Sequence, residues 1–167
     1  MSSAPTLLSD FMTRDVKTAK DDALVSSICK IMSENNIGSV IIVSNKDHGK
    51  HTPIGIITER DVVKSIASNH SSVNLPASKV MSKPLITIAP QATFLDAVET
   101  MQTRNIRRLP VIDGQKLVGI VTDKDILKQI MKDRSAAEVV LSRESIEQIT
   151  ISDQPIVYML GDMLHRR

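Results

Sequence analysis

Aromatic residues are scarce in this sequence: of its 167 residues, two are Phe, one is Tyr and none is Trp. This scarcity argues against binding of single-stranded nucleic acid, because proteins that bind it stack the bases on aromatic side chains. The net charge of +2 is also too small to indicate attraction to nucleic acid or to a membrane surface. We therefore expect no nucleic-acid partner.

Cysteine and long apolar runs are scarce as well. Cys29 is the single cysteine, so no disulfide can form within the chain, which indicates a reducing compartment. The sequence has no run of about 18 apolar residues, which a membrane-spanning helix would need. Residues 1–5 lack the basic and apolar regions of a signal peptide. These features predict a cytoplasmic protein without a membrane partner.

Signatures of catalysis and metal binding are also missing. The sequence contains no Gly-x-Ser-x-Gly, Gly-x-x-x-x-Gly-Lys-Ser/Thr or His-Glu-x-x-His motif. His48 and His51 are two candidate metal ligands, but Asp47 is their only acidic neighbour, which is a weak set for a zinc site. We therefore expect a protein that is not an enzyme, with no bound metal and no required cofactor.

What the sequence does contain is an internal repeat. Residues 8–43 align with residues 77–112, and residues 55–66 align with residues 119–130. The two copies differ in length only in the loop at residues 44–53, and exposed loops tolerate insertions. A copy of roughly 60 residues has too little apolar surface to be comfortably stable alone. We therefore expect the two copies to pack together with pseudo-twofold symmetry.

Each copy predicts the element order β-α-β-β-α, so the fold class is α+β (α/β-type). Short extended pieces are predicted at residues 16–18 and 85–87, and strands at 40–43, 54–57, 109–112 and 118–121. Asp113-Gly114 is a hairpin signal, and Pro110 indicates a strand edge or end. Apolar stripes at helical spacing mark the helices. The stripes are Val25, Ile28 and Met32; Val62, Val63 and Ile66; Phe94, Val98 and Met101; and Ile126, Leu127, Ile130 and Met131.

These patterns divide the chain into repeat 1 at residues 8–67, a linker at 68–75, repeat 2 at 76–132 and a C-terminal extension at 133–167. In the extension, Asp153 and Pro155 mark a helix start, and apolar residues from Ile156 to Leu164 follow at helical spacing. Two interpretations stay open for this helix. It contacts a partner, or it folds back on the protein's own core, which is the more common arrangement.

The most distinctive stretch in each copy is an apolar strand that ends in Thr-x-x-Asp at the start of a helix. The motifs are Thr58 with Asp61 and Thr122 with Asp125. Free backbone N–H groups at a helix start favour an anionic ligand. The same spacing also fits a capping box, in which the two side chains satisfy backbone donors. Taken alone, each motif is more typical of capping.

The doubled pattern, with Met and Thr before the first helix, Asn-Ile after it and Gly-hydrophobic-hydrophobic-Thr-x-x-Asp at the second helix, resembles the cystathionine-β-synthase (CBS) domain. The tandem pair resembles a Bateman module over residues 8–132. The resemblance implies a regulatory module that senses adenosine compounds: AMP, ADP, ATP or S-adenosylmethionine. It also implies a homodimer and a separate effector protein. The alternative is a scaffold with empty clefts that acts through its C-terminal helix.

The resemblance assigns the site residues by position. Asp61 and Asp125 accept hydrogen bonds from both ribose hydroxyls, which suits an ionised carboxylate because it only accepts. Thr58 and Thr122 lie near the ribose or phosphates. The adenine is lined by Ile56, Ile120 and the backbone near Val16 and Leu85.

The resemblance also implies composite clefts, in which the segment after the first helix of one repeat helps form the site of the other. These segments are Gly38-Ser39 and Arg107-Arg108. Of the two, only the segment of repeat 2 carries guanidinium groups, each of which can bind two phosphate oxygens at once. Arg108 is expected beside Asp125. Arg107 is expected beside Asp61. The plain alternative is that both arginines are solvent-exposed residues before a strand.

Two further basic residues occupy matching positions in the helix starts. Arg60 and Lys124 add positive charge there, which favours a phosphorylated ligand over neutral adenosine.

Overall fold

The computed structural model describes residues 6–44, 51–68 and 70–132. The C-terminal extension, with its predicted helix, lies outside the described residues, as do His48 and Asp47. In the described part of the chain, no helix is long and apolar enough to cross a membrane.

The described residues contain nine main elements, and their order confirms the predicted mixture of helices and strands. The strands are β1 Thr18–Lys20, β2 Ser39–Val43, β3 Pro53–Thr58, β4 Arg108–Asp113 and β5 Lys116–Thr122. The helices are α1 Val25–Asn35, α2 Glu59–Ser68, α3 Phe94–Thr103 and α4 Asp123–Lys132. Short 3-10 turns span Leu8–Asp10, His70–Asn74 and Ala77–Lys79.

The strands form a three-stranded sheet in the order β1-β2-β3 and a two-stranded sheet of β4 and β5. β1 runs parallel to β2, and β3 runs antiparallel to it. The extended pieces predicted at 16–18 and 85–87 are displaced along the chain. β1 begins at Thr18, and in repeat 2 Ile88 makes a single parallel bridge to Val111. Backbone pairing to a neighbouring strand decides these positions, and the local sequence does not show it.

The chain divides into two compact units that cut across the sequence repeats. Among the described residues, one unit combines 6–13 with Ile88–Val111 and 120–132. The other combines Arg14–Thr87 with Ile112–Gly119.

A hairpin signal and a proline mark the last two strands. Gly114, between β4 and β5, has a φ of +60°, as a tight hairpin turn favours. Pro110 is buried and lies within β4, which is an edge strand of the two-stranded sheet.

The segment that leads into each repeat is hydrogen-bonded to the other repeat. In the first unit, Thr13 N donates to Ile120 O at 3.0 Å, and Ile120 N donates to Thr13 O at 2.9 Å. In the second unit, Ser82 N donates to Ile56 O at 2.9 Å, and Ile56 N donates to Ser82 O at 3.2 Å. Each strand that ends in Thr-x-x-Asp therefore pairs with a single residue that is distant in sequence.

The first helix of each repeat packs its apolar stripe into a core. All six predicted stripe residues of α1 and α3 are buried: Val25, Ile28, Met32, Phe94, Val98 and Met101. Ile28 and Met32 join Val40, Ile42, Ile57 and Ala77 in one hydrophobic cluster. These two stripes are confirmed, and burial of such side chains is the main source of stability.

The second helices bury less than their sequences predict. Within α2 no residue is fully buried, and Val63 remains 66% exposed. In α4, Ile126 is buried, but Met131 is 69% exposed. The helical spacing of these apolar residues is confirmed, whereas packing of the whole stripe against the chain's own core is not observed in the described residues.

The matching Asn-Ile pairs of the two repeats end the first helices. Asn36 and Asn105 adopt left-handed backbone angles, with φ of 51° and 52°. The following residue in each repeat then bonds back to the helix: Ile37 N donates to Met32 O at 3.0 Å, and Ile106 N donates to Met101 O at 2.9 Å. This is a Schellman helix end, in which Asn is tolerated because it adopts the left-handed conformation more readily than most residues.

Candidate ligand-binding site

The first Thr-x-x-Asp motif lies where β3 ends and α2 begins. Thr58 donates to Asp61 Oδ2 twice, from its backbone N at 2.8 Å and from Oγ1 at 2.5 Å. Asp61 N donates back to Thr58 Oγ1 at 3.3 Å. The two side chains thus form a reciprocal capping box at the start of α2.

The second motif repeats this geometry where β5 ends and α4 begins. Thr122 N and Oγ1 donate to Asp125 Oδ2 at 3.0 and 2.7 Å, and Asp125 N donates to Thr122 Oγ1 at 3.3 Å. The capping interpretation is therefore correct for both motifs. It does not exclude ligand binding, because all these capping bonds to the carboxylates use Oδ2 and none uses Oδ1.

The second carboxylate oxygen has different surroundings in the two motifs. Asp61 Oδ1 accepts a hydrogen bond from Ser82 Oγ at 2.9 Å. Asp125 Oδ1 lies 4.0 Å from Lys128 Nζ, which exceeds hydrogen-bond distance, and the lysine side chain is 74% exposed. An ion pair with so exposed a lysine contributes little to the stability of the fold. Ser82 aligns with Thr13 of the other repeat and lies outside the Thr-x-x-Asp pattern, so no local motif marks it as a site residue.

The segments after the first helices lie against the helix starts of their own repeats. Gly38 O accepts from Glu59 N at 3.2 Å, and Arg107 O accepts from Asp123 N at 3.1 Å. Ser39 pairs with Thr58 across β2 and β3. Both segments thus hold their backbone close to a Thr-x-x-Asp motif.

The predicted phosphate-binding residues are placed as follows. Arg107 is exposed, and Arg108 is half-buried at the start of β4, in the same unit as Asp125. Arg60 and Lys124 are exposed in the first turns of α2 and α4. The expected place of Arg107 beside the carboxylate of repeat 1 stays a prediction.

The predicted adenine-lining residues differ in exposure. Ile120 is 8% exposed, whereas Ile56, Val16 and Leu85 are partly exposed. Val16 lines a cavity of about 630 Å³, within the size range of small-molecule sites. Arg14, Lys116 and Asp113 give this cavity charges of both signs, and His51 also lines it. Within the described residues, no three His, Cys, Asp or Glu side chains are grouped so as to hold a metal ion.

The family model of the CBS domain matches this chain twice, at residues 8–68 and 77–132. The chain belongs to the CBS domain family. The two CBS repeats contain both Thr-x-x-Asp motifs, and the resemblance noted in the sequence is confirmed.

Two uncharacterized archaeal proteins are similar to this CBS pair in sequence. The chain is 43% identical over 117 residues to the uncharacterized protein MK0525 of Methanopyrus kandleri, a match that covers 69% of the chain and 58% of that protein. It is 31% identical over 138 residues to the uncharacterized protein MJ1404 of Methanocaldococcus jannaschii, covering 75% of the chain and 32% of that protein. The CBS pair thus spans only part of these relatives.

One solved structure similar to this CBS pair contains ligands. The CBS domain pair of protein MJ0100, in complex with 5′-methylthioadenosine and S-adenosyl-L-methionine, superimposes with a TM-score of 0.69 at 28% identity. The match covers 77% of this chain and 98% of that one. Both ligands of that protein carry an adenosine group.

Proposed function

We propose that this CBS pair is a regulatory module that binds an adenosine-containing ligand through the ribose. The observation that carries this proposal is the same in both repeats: Asp61 and Asp125 use Oδ2 for capping, so Oδ1 remains a candidate acceptor for a ligand hydroxyl. Each motif also lies at a helix start, where backbone N–H groups favour a negative charge. The adenosine ligands of the similar MJ0100 pair support the same ligand class.

The ligand classes to consider are AMP, ADP, ATP and S-adenosylmethionine. Arg60 and Lys124 lie exposed in the first helical turns, and Arg107 is exposed near the start of α4. Their positive charge favours a phosphorylated ligand, because guanidinium and ammonium groups bind phosphate oxygens through charge-assisted hydrogen bonds. We therefore propose an adenine nucleotide ahead of S-adenosylmethionine.

The proposed role is sensing rather than catalysis. In this role the bound nucleotide changes the stability of the module, and a separate effector protein responds. The exposed apolar side chains Val63, Ile66 and Met131 on the second helices support self-association, and we propose a homodimer.

The test is a thermal-unfolding panel with AMP, ADP, ATP and S-adenosylmethionine. A ligand that binds only the folded state stabilises it by about 2.7 kcal/mol at a hundredfold excess over the dissociation constant. Asp61→Ala and Asp125→Ala should each remove one site's share of that rise. An unchanged melting temperature with all four compounds would refute the proposal and leave the scaffold function as the better explanation.

The chain offers a matched control for capping. Asp96 accepts from Thr93 N at 2.7 Å and from Thr93 Oγ1 at 2.8 Å, in the same Thr-x-x-Asp spacing at the start of α3. Asp96→Ala therefore removes a cap without touching either candidate site. It should lower the melting temperature of the free protein, as the other two variants do, and leave the ligand-induced rise intact.

A further inference from the structure

The two candidate sites of this CBS pair differ in how many acceptor positions they offer. An ionised carboxylate has about four lone-pair positions for hydrogen bonds. Asp125 uses two of them, both on Oδ2, for Thr122 N and Oγ1. Its Oδ1 keeps two positions, which matches the two hydroxyls of a ribose.

Asp61 has fewer positions left. Thr58 N and Oγ1 occupy its Oδ2, and Ser82 Oγ donates to its Oδ1 at 2.9 Å. One position remains, so the carboxylate can accept one ribose hydroxyl but not two while Ser82 holds its bond. A hydrogen bond to a charged acceptor is among the stronger ones in proteins, so displacing it costs free energy.

The difference arises from one side chain and not from the backbone. Ser82 pairs with Ile56, and Thr13 pairs with Ile120 through an equivalent pair of backbone hydrogen bonds. Nevertheless, in the described part of the chain no hydrogen bond joins the Thr13 hydroxyl to Asp125. The matching positions thus carry a hydroxyl in both repeats, but only Ser82 donates to the site carboxylate.

We propose that Ser82 makes the two nucleotide sites unequal and sets the lower affinity of the Asp61 site. The Asp125 site accepts both ribose hydroxyls directly and fills first. The Asp61 site fills at higher ligand concentration, because Ser82 leaves its carboxylate one position for a ribose hydroxyl instead of two. The module then responds in two steps over a wider concentration range than two equal sites would allow. This inference rests on the proposed function and specifies the regulation of the same sites.

Isothermal titration of single-site variants tests this inference, with AMP, ATP and S-adenosylmethionine as probes. In an Asp125→Ala chain only the Asp61 site remains, and adding Ser82→Ala should tighten binding about fivefold to tenfold. The control is Thr13→Ala in an Asp61→Ala chain, which should change affinity less than about twofold. If Asp125→Ala prevents folding, Asp125→Asn replaces it, because the amide oxygen still accepts the capping bonds.

A probe without the 2′-hydroxyl gives a second measurement. With 2′-deoxy-AMP, the Asp125 site should lose more affinity than the Asp61 site, because only Asp125 binds both hydroxyls. Equal affinities at the two sites of the unmodified protein, or unchanged or weaker binding after Ser82→Ala, would overturn this inference and leave the proposed function standing. If no probe binds the unmodified protein, the proposed function fails, and this inference fails with it.

Discussion

Met81 Sδ lies 2.7 Å from the point that a Cβ atom on Gly55 would occupy. Ser82 O lies 3.0 Å from the same point. Gly55 precedes Ile56, the residue that pairs with Ser82, so the missing side chain allows the leading segment of repeat 2 to approach β3 closely. The glycine of the Gly-hydrophobic-hydrophobic-Thr motif in repeat 1 therefore helps to bring Ser82 to Asp61.

Gly55→Ala should destabilise the protein. The added methyl group forces Met81 and the Ser82 backbone to move, and overpacking of this kind costs about 1–3 kcal/mol. Urea denaturation measures the loss as a lower transition midpoint. In a Met81→Ala chain the same substitution should cost less, because the nearest obstructing atom is gone. An equal cost in both chains would show that Met81 is not the obstacle.

Replacing Asn36 with glycine should preserve the stability of the protein, whereas replacing it with alanine should lower it. Its φ of 51° costs a residue with a Cβ about 1–2 kcal/mol relative to glycine. We expect Asn36→Ala to lower the free energy of unfolding by about 1 kcal/mol, and Asn36→Gly to leave it unchanged or raise it slightly. At Asn105, with its φ of 52°, the glycine variant should likewise be more stable than the alanine variant. Alanine as stable as glycine at both positions would contradict the left-handed helix end.

Two apolar residues of α4 should differ sharply when truncated. Ile126 is 1% exposed, so Ile126→Ala should cost about 2–5 kcal/mol through lost burial and a cavity. Met131 is 69% exposed, so Met131→Ala should change stability by about 0.5 kcal/mol or less. Chemical denaturation at low protein concentration measures both losses. The low concentration matters because self-association could bury Met131 and make its truncation more costly. Similar costs for both variants would contradict the described packing of α4.

The stability of the protein should fall in acid partly through Asp96. The backbone and hydroxyl hydrogen bonds from Thr93 hold the pKa of Asp96 below its ordinary value of 3.8, and slight desolvation opposes them. A lowered pKa in the folded state means that the ionised carboxylate stabilises the fold. This stabilisation is complete above the ordinary pKa and is lost as the pH falls through the lower folded value.

Asp96→Asn tests this pH dependence, because the amide does not titrate. The stability difference between the unmodified protein and the variant should be constant near neutral pH and should shrink below about pH 4. Denaturation curves at several pH values measure it. If the stability difference between the two proteins stays the same from neutral pH into acid, the charge of Asp96 does not stabilise the fold.

Local features of the fold could be read from the sequence because each depends on residues close together in the chain. The stripes of α1 and α3 follow from helical spacing, and the hairpin at Gly114 follows from the positive φ that glycine accepts. The Thr-x-x-Asp motifs cap their helices through contacts three residues apart. The CBS family assignment rests on the same local patterns and their duplication.

Amino-acid order alone thus determined the repeat, the element types and the pair of capping carboxylates, since those depend on backbone periodicity and short-range hydrogen bonds. Only the tertiary structure decided that Ser82 reaches Asp61, a residue 21 positions away, while Thr13 makes no equivalent bond in the described residues. It also decided that Val63 and Met131 remain exposed although their spacing resembles that of core residues. Such outcomes depend on which distant segment packs alongside, and no local pattern contains that information.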